Sequence, residues 1–396
     1  MIFSSLRTAS FRNLANAEIF TGAKDVFLVG ENGQGKTNFL EALYFCAYAS
    51  SFRAVRDSEL ACSELTPHGY FSLNAEKDFS ADVKIVQEKR LVSGFSAGNG
   101  EALIYDEVLV KFEKGKKSVI INGKRAEDRK ELLSIAPSIV FCHEDMEFVS
   151  GSPERRRWFF DQTLSLYDIV YLDGLRHYRR VLKSRNTVLK EIAAKKFTGS
   201  PESVLDALDI QLAQSGLELM EKREKAVREF SGLLSPLYEE VCGISGVTVQ
   251  YNQSWNSPDG GHSCDDITGR LRQRRAADIA AGISLSGPHR DRYVFTRNDR
   301  EFTGKASTGQ RRLLALLLRT AQARCFSKET GQNPVLLLDD VLLEMDGEKR
   351  RRFLSVLPAY DQAFYTFLPE EPYQRYQKED TLVYRIKNGQ AVSEPC

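Results

Sequence analysis

Organised cysteine chemistry is missing from this sequence. Seven cysteines (Cys46, Cys62, Cys142, Cys242, Cys264, Cys325 and Cys396) are scattered along it, with no C-x-x-C pair and no histidine at metal-ligand spacing. That argues against a disulfide framework and a zinc site, and an odd number of free thiols suits a reducing cytoplasm. Long apolar runs are missing too. Leu313–Leu318 is about the longest, far short of the ~18 residues that span a bilayer, so no membrane partner is expected. The N-terminus has no apolar core followed by a small-residue cleavage site, and no secretory leader is expected. Charge of one sign is not in excess either. Against 54 Asp and Glu stand 55 Lys and Arg, a net charge of +1. This excludes coating of nucleic acid by bulk positive potential but leaves room for a local basic face. What is present is ordinary globular composition, 42% hydrophobic and 28% charged over 396 residues, enough for two or three folding units at ~150 residues each.

Along the chain, IFSSLRTASF and NAEIF flank a turn at Arg12-Asn13, and Asp25–Val29 is a short apolar strand. A helix follows from Lys36, with Phe39, Leu40, Leu43 and Tyr44 at helical spacing. From Tyr70 to Ile121 the pattern is β-like, and Asn122-Gly123 after a β-branched run predicts a tight hairpin. Ser152-Pro153 predicts a capped helix start. Beyond it Tyr171, Leu175, Tyr178, Leu182, Leu189 and Ile192 form a coiled-coil-like seam that only Arg185 interrupts. After a turn at Thr198–Pro201 the seam resumes with Leu205, Leu208, Leu212 and Leu219. An antiparallel hairpin arm and a pair of ordinary bundle helices fit this seam equally. The remaining expectations are a strand in VTVQYNQ, a helix over Asp265–Ala280, a strand in RYVF and a long helix over Gln310–Phe326. A buried strand at Val335–Leu338, a helix near Gly347–Val356 and a strand near Ala363–Phe367 complete the series.

Gly30-Glu31-Asn32-Gly33-Gln34-Gly35-Lys36-Thr37 satisfies G-x-x-x-x-G-K-[ST] between that apolar strand and that helix. The glycines let the backbone N–H groups turn toward a β-phosphate. Lys36 reaches the β/γ oxygens, and the Thr37 hydroxyl ligates Mg²⁺. Asn38, next in the helix, is grouped with the nucleotide contacts. Four apolar residues ending in Asp339-Asp340 predict a buried parallel strand whose C-terminal end meets the ligand crevice. There Asp339 would hold Mg²⁺, and Asp340 would orient or deprotonate an attacking water. Aspartate is a methylene shorter than glutamate, so turnover should be slow; the alternative role for Asp340 is a helix cap. Ser307-Thr308-Gly309-Gln310 precedes the long helix, and a hydroxyl residue and a glycine at a helix start suit a γ-phosphate. No N-K-x-D string occurs, which disfavours guanine nucleotides.

The order of phosphate loop, S-x-G-Q and carboxylate strand resembles ABC-type ATPase heads. Within that superfamily the chain resembles the RecF family, bacterial recombination mediators related to SMC and Rad50 heads. The likeness rests on FRNL, GENGQGKTNFLEALYF, FCHEDMEFVSGSPERRRWFFD, SGPHRD, KASTGQRR and LLLDDVLLEMD; GSPERRRWF and GPHRD are specific to the family. The resemblance implies an α/β ABC-ATPase, SMC/Rad50-like P-loop head, 1–150 plus 241–396, with an inserted α-helical arm, 151–240. It implies that Glu144-Asp145 form the Q-loop that senses Mg²⁺ and water, with Glu144 in a catalytic role. Ser307, Gly309 and Gln310 contact ATP held by a second copy, and Glu344-Met345-Asp346 form the D-loop. Arg53 approaches the nucleotide, and Thr366 takes the switch position. Arg292, Leu343 and Thr366 depart from the family pattern and put the rate of hydrolysis in question more than ATP binding. His289 is assigned no chemistry.

For DNA, Arg176, Arg179, Arg180 and Lys183 fall on one helical face at i, i+3, i+4 and i+7. The Arg155-Arg156-Arg157 run begins the same helix in this reading. Arg272, Arg274 and Arg275 form another cluster, as do Lys349–Arg352. Such faces hold phosphates without reading sequence, and each is equally a solvated face balanced by nearby acids. The Arg176–Lys183 stripe ranks first. These readings point to an ATP-dependent homodimer that clamps DNA; the resemblance implies that it binds single-stranded and gapped duplex DNA, works with RecO and RecR to load RecA, and serves recombinational repair and the SOS response. Weak, DNA-stimulated ATP hydrolysis would release it. A constitutive scaffold with ATP as a structural ligand, or an ABC ATPase serving a transporter or nuclease, is the competing class.

Overall fold

A computed structural model of the chain describes residues 1–54, 56–62, 78–86, 105–256, 263–342 and 345–394. The chain divides into two compact units, Met1–Glu144 with Phe326–Cys396, and Asp145–Cys325. The first unit opens with β1 (Ile2–Ala9), β2 (Ala17–Phe20), β3 (Asp25–Val29) and α1 (Lys36–Tyr48). It continues through β4 (Phe79–Val86), β5 (Tyr105–Glu113), β6 (Lys116–Ile121), β7 (Lys124–Arg125), α2 (Lys130–Ile135) and β8 (Ser138–Phe141). The second unit holds α3 (Met146–Ser150), α4 (Pro153–Tyr167), α5 (Ile169–Ala193), α6 (Pro201–Cys242), β9 (Val247–Asn252), α7 (Cys264–Ala281), β10 (Arg292–Arg297) and β11 (Arg300–Glu301). Helix α8 (Thr308–Thr330) returns the chain to the first unit, which ends in β12 (Val335–Leu338), α9 (Gly347–Val356), β13 (Gln362–Phe367), β14 (Thr381–Lys387) and β15 (Gln390–Ser393).

In the first unit, β15-β14-β3-β13-β12-β8 form a sheet that is parallel except for its β15 edge. Every residue of β3, β8, β12 and β13 is buried, as expected for strands covered on both faces. Val26, Leu28 and Phe364 pack under α1 through Phe39, Leu40 and Leu43. The antiparallel sheet β2-β1-β4-β5-β6-β7 joins the same core, where Phe11, Phe45 and Phe79 meet edge to face or tilted. Asn122 and Gly123 both take positive φ, 51° and 77°, at the β6–β7 turn, as its N-G signal predicted. The β-like stretches 70–77 and 87–104, together with Leu343, Glu344 and Cys396, lie outside the described residues.

In the second unit, Ser152 accepts a hydrogen bond from the Arg155 N–H and Pro153 opens α4, the capped start read from the sequence. The arginine run and the basic stripe are not on one helix. Asp168 leaves helical geometry (φ −119°, ψ 95°), ends α4, and caps α5 through its carboxylate on the Tyr171 N–H. An aspartate able to cap outcompetes helix continuation there. Helices α5 and α6 pack side by side, burying Tyr171, Leu175, Tyr178 and Leu189 with Leu205, Leu212 and Leu219. Arg185 does not interrupt this seam. It is fully buried within it, donating to Asp209 (2.6 Å), Asp278 (2.7 Å) and Ser284 (2.8 Å). Strand β9 and helix α7 pack on α6, and residues 241–325 fall in the same unit as the helical pair.

Candidate functional site

The parallel sheet brings the phosphate loop and the carboxylates together. Strand β13 lies between β3 and β12, with Thr366 opposite Leu28 and Leu338 opposite Tyr365. The loop therefore leaves β3 at the strand end where Asp339 leaves β12 and Thr366 stands between them, the edge at which such sheets bind ligands. Gly33 (φ 78°) and Gly35 (φ 117°) take left-handed conformations that the tight loop requires. Gly35 caps α1 with no side-chain acceptor, so the orphan first-turn N–H groups are left for an anion. Lys36 is buried, its Nζ donating to the carbonyls of Gly30 (2.7 Å) and Glu31 (3.1 Å). Thr37 Oγ1 donates to Asp339 Oδ1 at 2.9 Å. A hydroxyl and a carboxylate at that spacing are hard oxygen donors of the kind that hold Mg²⁺, usually with several waters.

Burial, then the charge of Asp340, raises the Asp339 pKa to about 7; the Thr37 hydrogen bond and Arg53 oppose the rise. Such a carboxyl gains from a bound cation, which restores its ionised form. Asp340 sits in the left-handed region (φ 51°) and exchanges two bonds with Thr366. Its N–H donates to Thr366 Oγ1 (2.7 Å), and that hydroxyl donates to Asp340 Oδ1 (2.9 Å). Asp340 is not a helix cap: the next helix, α9, is capped by Asp346, which accepts from the Lys349 N–H at 2.9 Å. Glu144 is exposed and adds to the negative field on Asp339. Its neighbour Asp145 is buried, its Oδ1 held by Arg319 at 2.7 and 3.0 Å.

Three groups around the loop escaped the motif reading. Gln34 is tied to the β14–β15 turn: its carbonyl accepts from the Gly389 N–H (2.8 Å) and its Oε1 from the Asn388 N–H (2.7 Å). A Cβ on Gly389 would stand 1.8 Å from the Asn13 carbonyl, and one on Gly30 2.4 Å from that of Ile386. Asn388-Gly389 is an N-G turn signal that could have exposed the hairpin. Asn13 donates to the Gly33 carbonyl (3.2 Å) and accepts from Asn38 Nδ2 (2.6 Å). Glu41, fully buried on α1, binds Arg12 bidentately (2.9 and 3.0 Å), Arg53 (2.7 Å) and the Ser51 hydroxyl. Burial pushes its carboxyl up, but Arg53 and Arg12 outweigh that and leave it below the usual range. Arg53 also donates to Asn38 Oδ1, linking the buried pair to the start of α1.

In the second unit, Ser307 and Gln310 form a reciprocal cap on α8. The Gln310 N–H donates to Ser307 Oγ (3.2 Å), and the Ser307 N–H to Gln310 Oε1 (2.9 Å). Ser307, Thr308 and Gly309 are exposed there, and Tyr238 anchors the Gln310 carbonyl at 2.9 Å.

The basic clusters separate. Arg156 and Arg157 are half-buried and donate to main-chain carbonyls of Tyr293, Val149 and Asp291. Arg272 and Arg275 pair with Asp206 and Asp209, Lys349 with Asp346, and Arg350 with Glu371. In the Arg176–Lys183 stripe, Arg176 and Arg179 approach Asp173 and Asp161, whereas exposed Arg180 and Lys183 have no ion pair among the described residues.

The Gly287–Asp291 string, apart from exposed Arg290, belongs to a buried hub. Arg223 donates to Asp161 (2.8 and 3.1 Å), Asp291 (3.0 Å) and the Pro288 carbonyl (2.7 Å). Asp291 also takes the Tyr251 hydroxyl and the Ser254 N–H. His289 lies between the Tyr178 hydroxyl (2.7 Å) and the Ser284 carbonyl (3.0 Å), and burial lowers its pKa to about 4. Arg292 is exposed at the start of β10.

A family model described as the RecF/RecN/SMC N-terminal domain matches residues 2–390. The DNA replication and repair protein RecF of Treponema pallidum (strain Nichols) is 42% identical over 381 residues, 96% of this chain and 98% of that protein. Its counterpart in Bacillus subtilis (strain 168) is 30% identical over 399 residues, covering 99% and 100%. Among solved structures, the recombination mediator protein RecF-ATP in the RecFOR pathway aligns with TM-score 0.82 at 24% identity, over 100% of this chain and 98% of that one. The SmcHead bound to the C-winged helix domain of ScpA aligns with TM-score 0.53 at 15% identity, over 100% and 98%. These two likenesses speak to the fold, an ABC-type ATPase head. By family model and by relatives matched almost end to end, the chain belongs to the RecF family.

Proposed function

We propose that this chain is an ATP-dependent, DNA-binding recombination mediator acting in recombinational repair and the SOS response in the cytoplasm. The observation that carries the ATP site is the 2.9 Å bond from Thr37 to Asp339 beside a buried Lys36, at one edge of a parallel sheet. Gly30–Asn38 cradle the triphosphate, and Thr37 and Asp339 would hold Mg²⁺, which draws charge from the β- and γ-phosphates. Asp340, and Glu144 near it, act on the attacking water. Thr366 engages the Asp340 carboxylate on a short side chain, which supports slow hydrolysis. Exposed Ser307 and Gly309, with half-buried Gln310, offer the α8 N-terminus to the γ-phosphate of a second copy, so two copies close only around ATP. The stripe Arg176, Arg179, Arg180 and Lys183 holds the DNA backbone of a gap or junction, and the closed dimer works with RecO and RecR to load RecA. Relatives described as DNA replication and repair proteins, and a neighbour described as a recombination mediator, support the assignment.

Light scattering with ATP, ADP or no nucleotide, with and without gapped DNA, tests it: a dimer is expected only with ATP. Lys36→Met should abolish nucleotide binding. Ser307→Arg should bind ATP yet stay monomeric; an ATP-independent dimer of that variant would sink the mechanism.

A further inference from the structure

Two strings noted in the sequence, GSPERRRWF and GPHRD, lie in the second unit and do not line the phosphate loop. They meet at a separate cavity of about 410 Å³ in the second unit, bordered by Arg157, Trp158, Arg179 and His289, with Asp161 and its partner Arg223 also in the wall.

Two side chains there are in unusual situations. Trp158 is 41% exposed, although an indole is among the costliest surfaces to leave in water. It is held rigidly rather than loosely, stacked on Phe148 with centroids 5.7 Å apart and planes at 25°. Its N–H has no acceptor among the described residues. Arg157 is half-buried, with one hydrogen bond to a carbonyl (Asp291, 2.8 Å) and no ion pair among the described residues. Glu154, Asp291 and Asp161 act on it only from a distance, so no carboxylate closes on this partly desolvated guanidinium. A second cation, Arg179, reaches Asp161 only at 3.3 Å, and that carboxylate is already held by Arg223 and Tyr171.

The surroundings decide the ligand. Arg179 belongs to the stripe with Arg176, Arg180 and Lys183, which runs about 10 Å along α5 by helix geometry. A stacked aromatic face, a guanidinium with no direct ion pair and a bordering positive track are the combination that binds unpaired nucleotides, base on ring and phosphate on cation. We propose that this cavity takes an unpaired nucleotide of a DNA strand, the base stacking on Trp158 and its phosphate bound by Arg157 and Arg179. Glu154, also at the cavity, offers an acceptor to the base N–H groups. The assignment rests on the DNA-binding reading above and gives it a means of telling a gap from intact duplex.

Trp158 and Trp255 are the two tryptophans of the chain, and Trp255 is buried. In a Trp255→Phe background, Trp158 emission therefore reports the cavity directly. With ATP and Mg²⁺ present, a single-stranded decanucleotide and a gapped duplex should quench it to saturation, and an ungapped duplex should not. Trp158→Leu should weaken gapped-DNA binding about tenfold, the scale of one lost base stack, with ungapped-duplex and ATP binding unchanged. Trp158→Phe should keep most of the affinity, and Arg157→Gln should weaken binding and reduce its salt slope by about one. Unaltered Trp158 emission with gapped DNA bound overturns the proposal, as does undiminished gap affinity in Trp158→Leu and Arg157→Gln. Quenching by an acidic peptide but not by the oligonucleotide also overturns it and reassigns the cavity to a protein partner. If the wild type binds no DNA of any kind, the broader DNA-binding reading fails first, an outcome separable from failure at the cavity alone.

Discussion

The phosphate loop and the buried hub around Arg223 both concentrate polar side chains, but they bury charge on different terms. Around the loop, the charged groups remain able to take a ligand: Lys36 holds only carbonyls, the first turn of α1 lacks a side-chain cap, and Asp339 is raised to about 7. At the hub, Arg223 is matched to Asp161 and Asp291, with Tyr171 and the Pro288 carbonyl completing its bonds. One region trades stability for binding capacity, whereas in the other every charge is matched inside the protein and fixes how α4, α6 and the 287–291 strap pack.

Breaking the hub should have the largest effect. Arg223→Met leaves two buried carboxylates uncompensated and should lower stability by about 3–5 kcal/mol, measured by denaturant unfolding. A loss below about 1 kcal/mol would show that the hub is not a structural anchor. Lowering the pH probes the same region without mutation. His289 is kept neutral, with a pKa of about 4 when folded against an ordinary value near 6.5. The unfolded chain therefore binds the extra proton first. The contribution of His289 is complete above pH 6.5 and is lost as the pH falls from there to 4, by up to about 3 kcal/mol. His289→Gln should flatten that part of the stability profile.

On the phosphate side the expected losses are in affinity. Gly389→Ala puts a methyl into the Asn13 carbonyl at a positive φ of 76° and should displace the turn that holds Gln34. Nucleotide affinity, read by titration calorimetry, should fall about tenfold, worth about 1.4 kcal/mol, while the hub's acid profile stays unchanged. The smallest effect is that of Ser152→Ala, about 1 kcal/mol for a lost cap, seen as a modest shift in melting temperature with nucleotide binding intact.

Much of the catalytic edge was legible because its signals are local. The strand Asp25–Val29, the helix from Lys36 and the strand Val335–Leu338 have the boundaries that the sequence implied. Each is marked by contiguous apolar residues next to glycine or aspartate. Long-range partnerships were not legible. Arg185 read as a flaw in a seam because its partners Asp209, Asp278 and Ser284 are 24, 93 and 99 residues away. Asp168 read as one more position in a continuous helix, since a single aspartate is equally compatible with helix interior and cap until its neighbours are placed. The basic clusters looked alike for the same reason. What separates Arg275 from Lys183 is a pair of aspartates on another helix.

The bond from Asn388 to Gln34 joins residues 354 positions apart. On a ribosome, the phosphate loop is therefore made roughly 20–70 s before its clasp at usual elongation rates. A nascent or truncated polypeptide that stops short of Asn388 has the phosphate-loop motif but lacks its fastener.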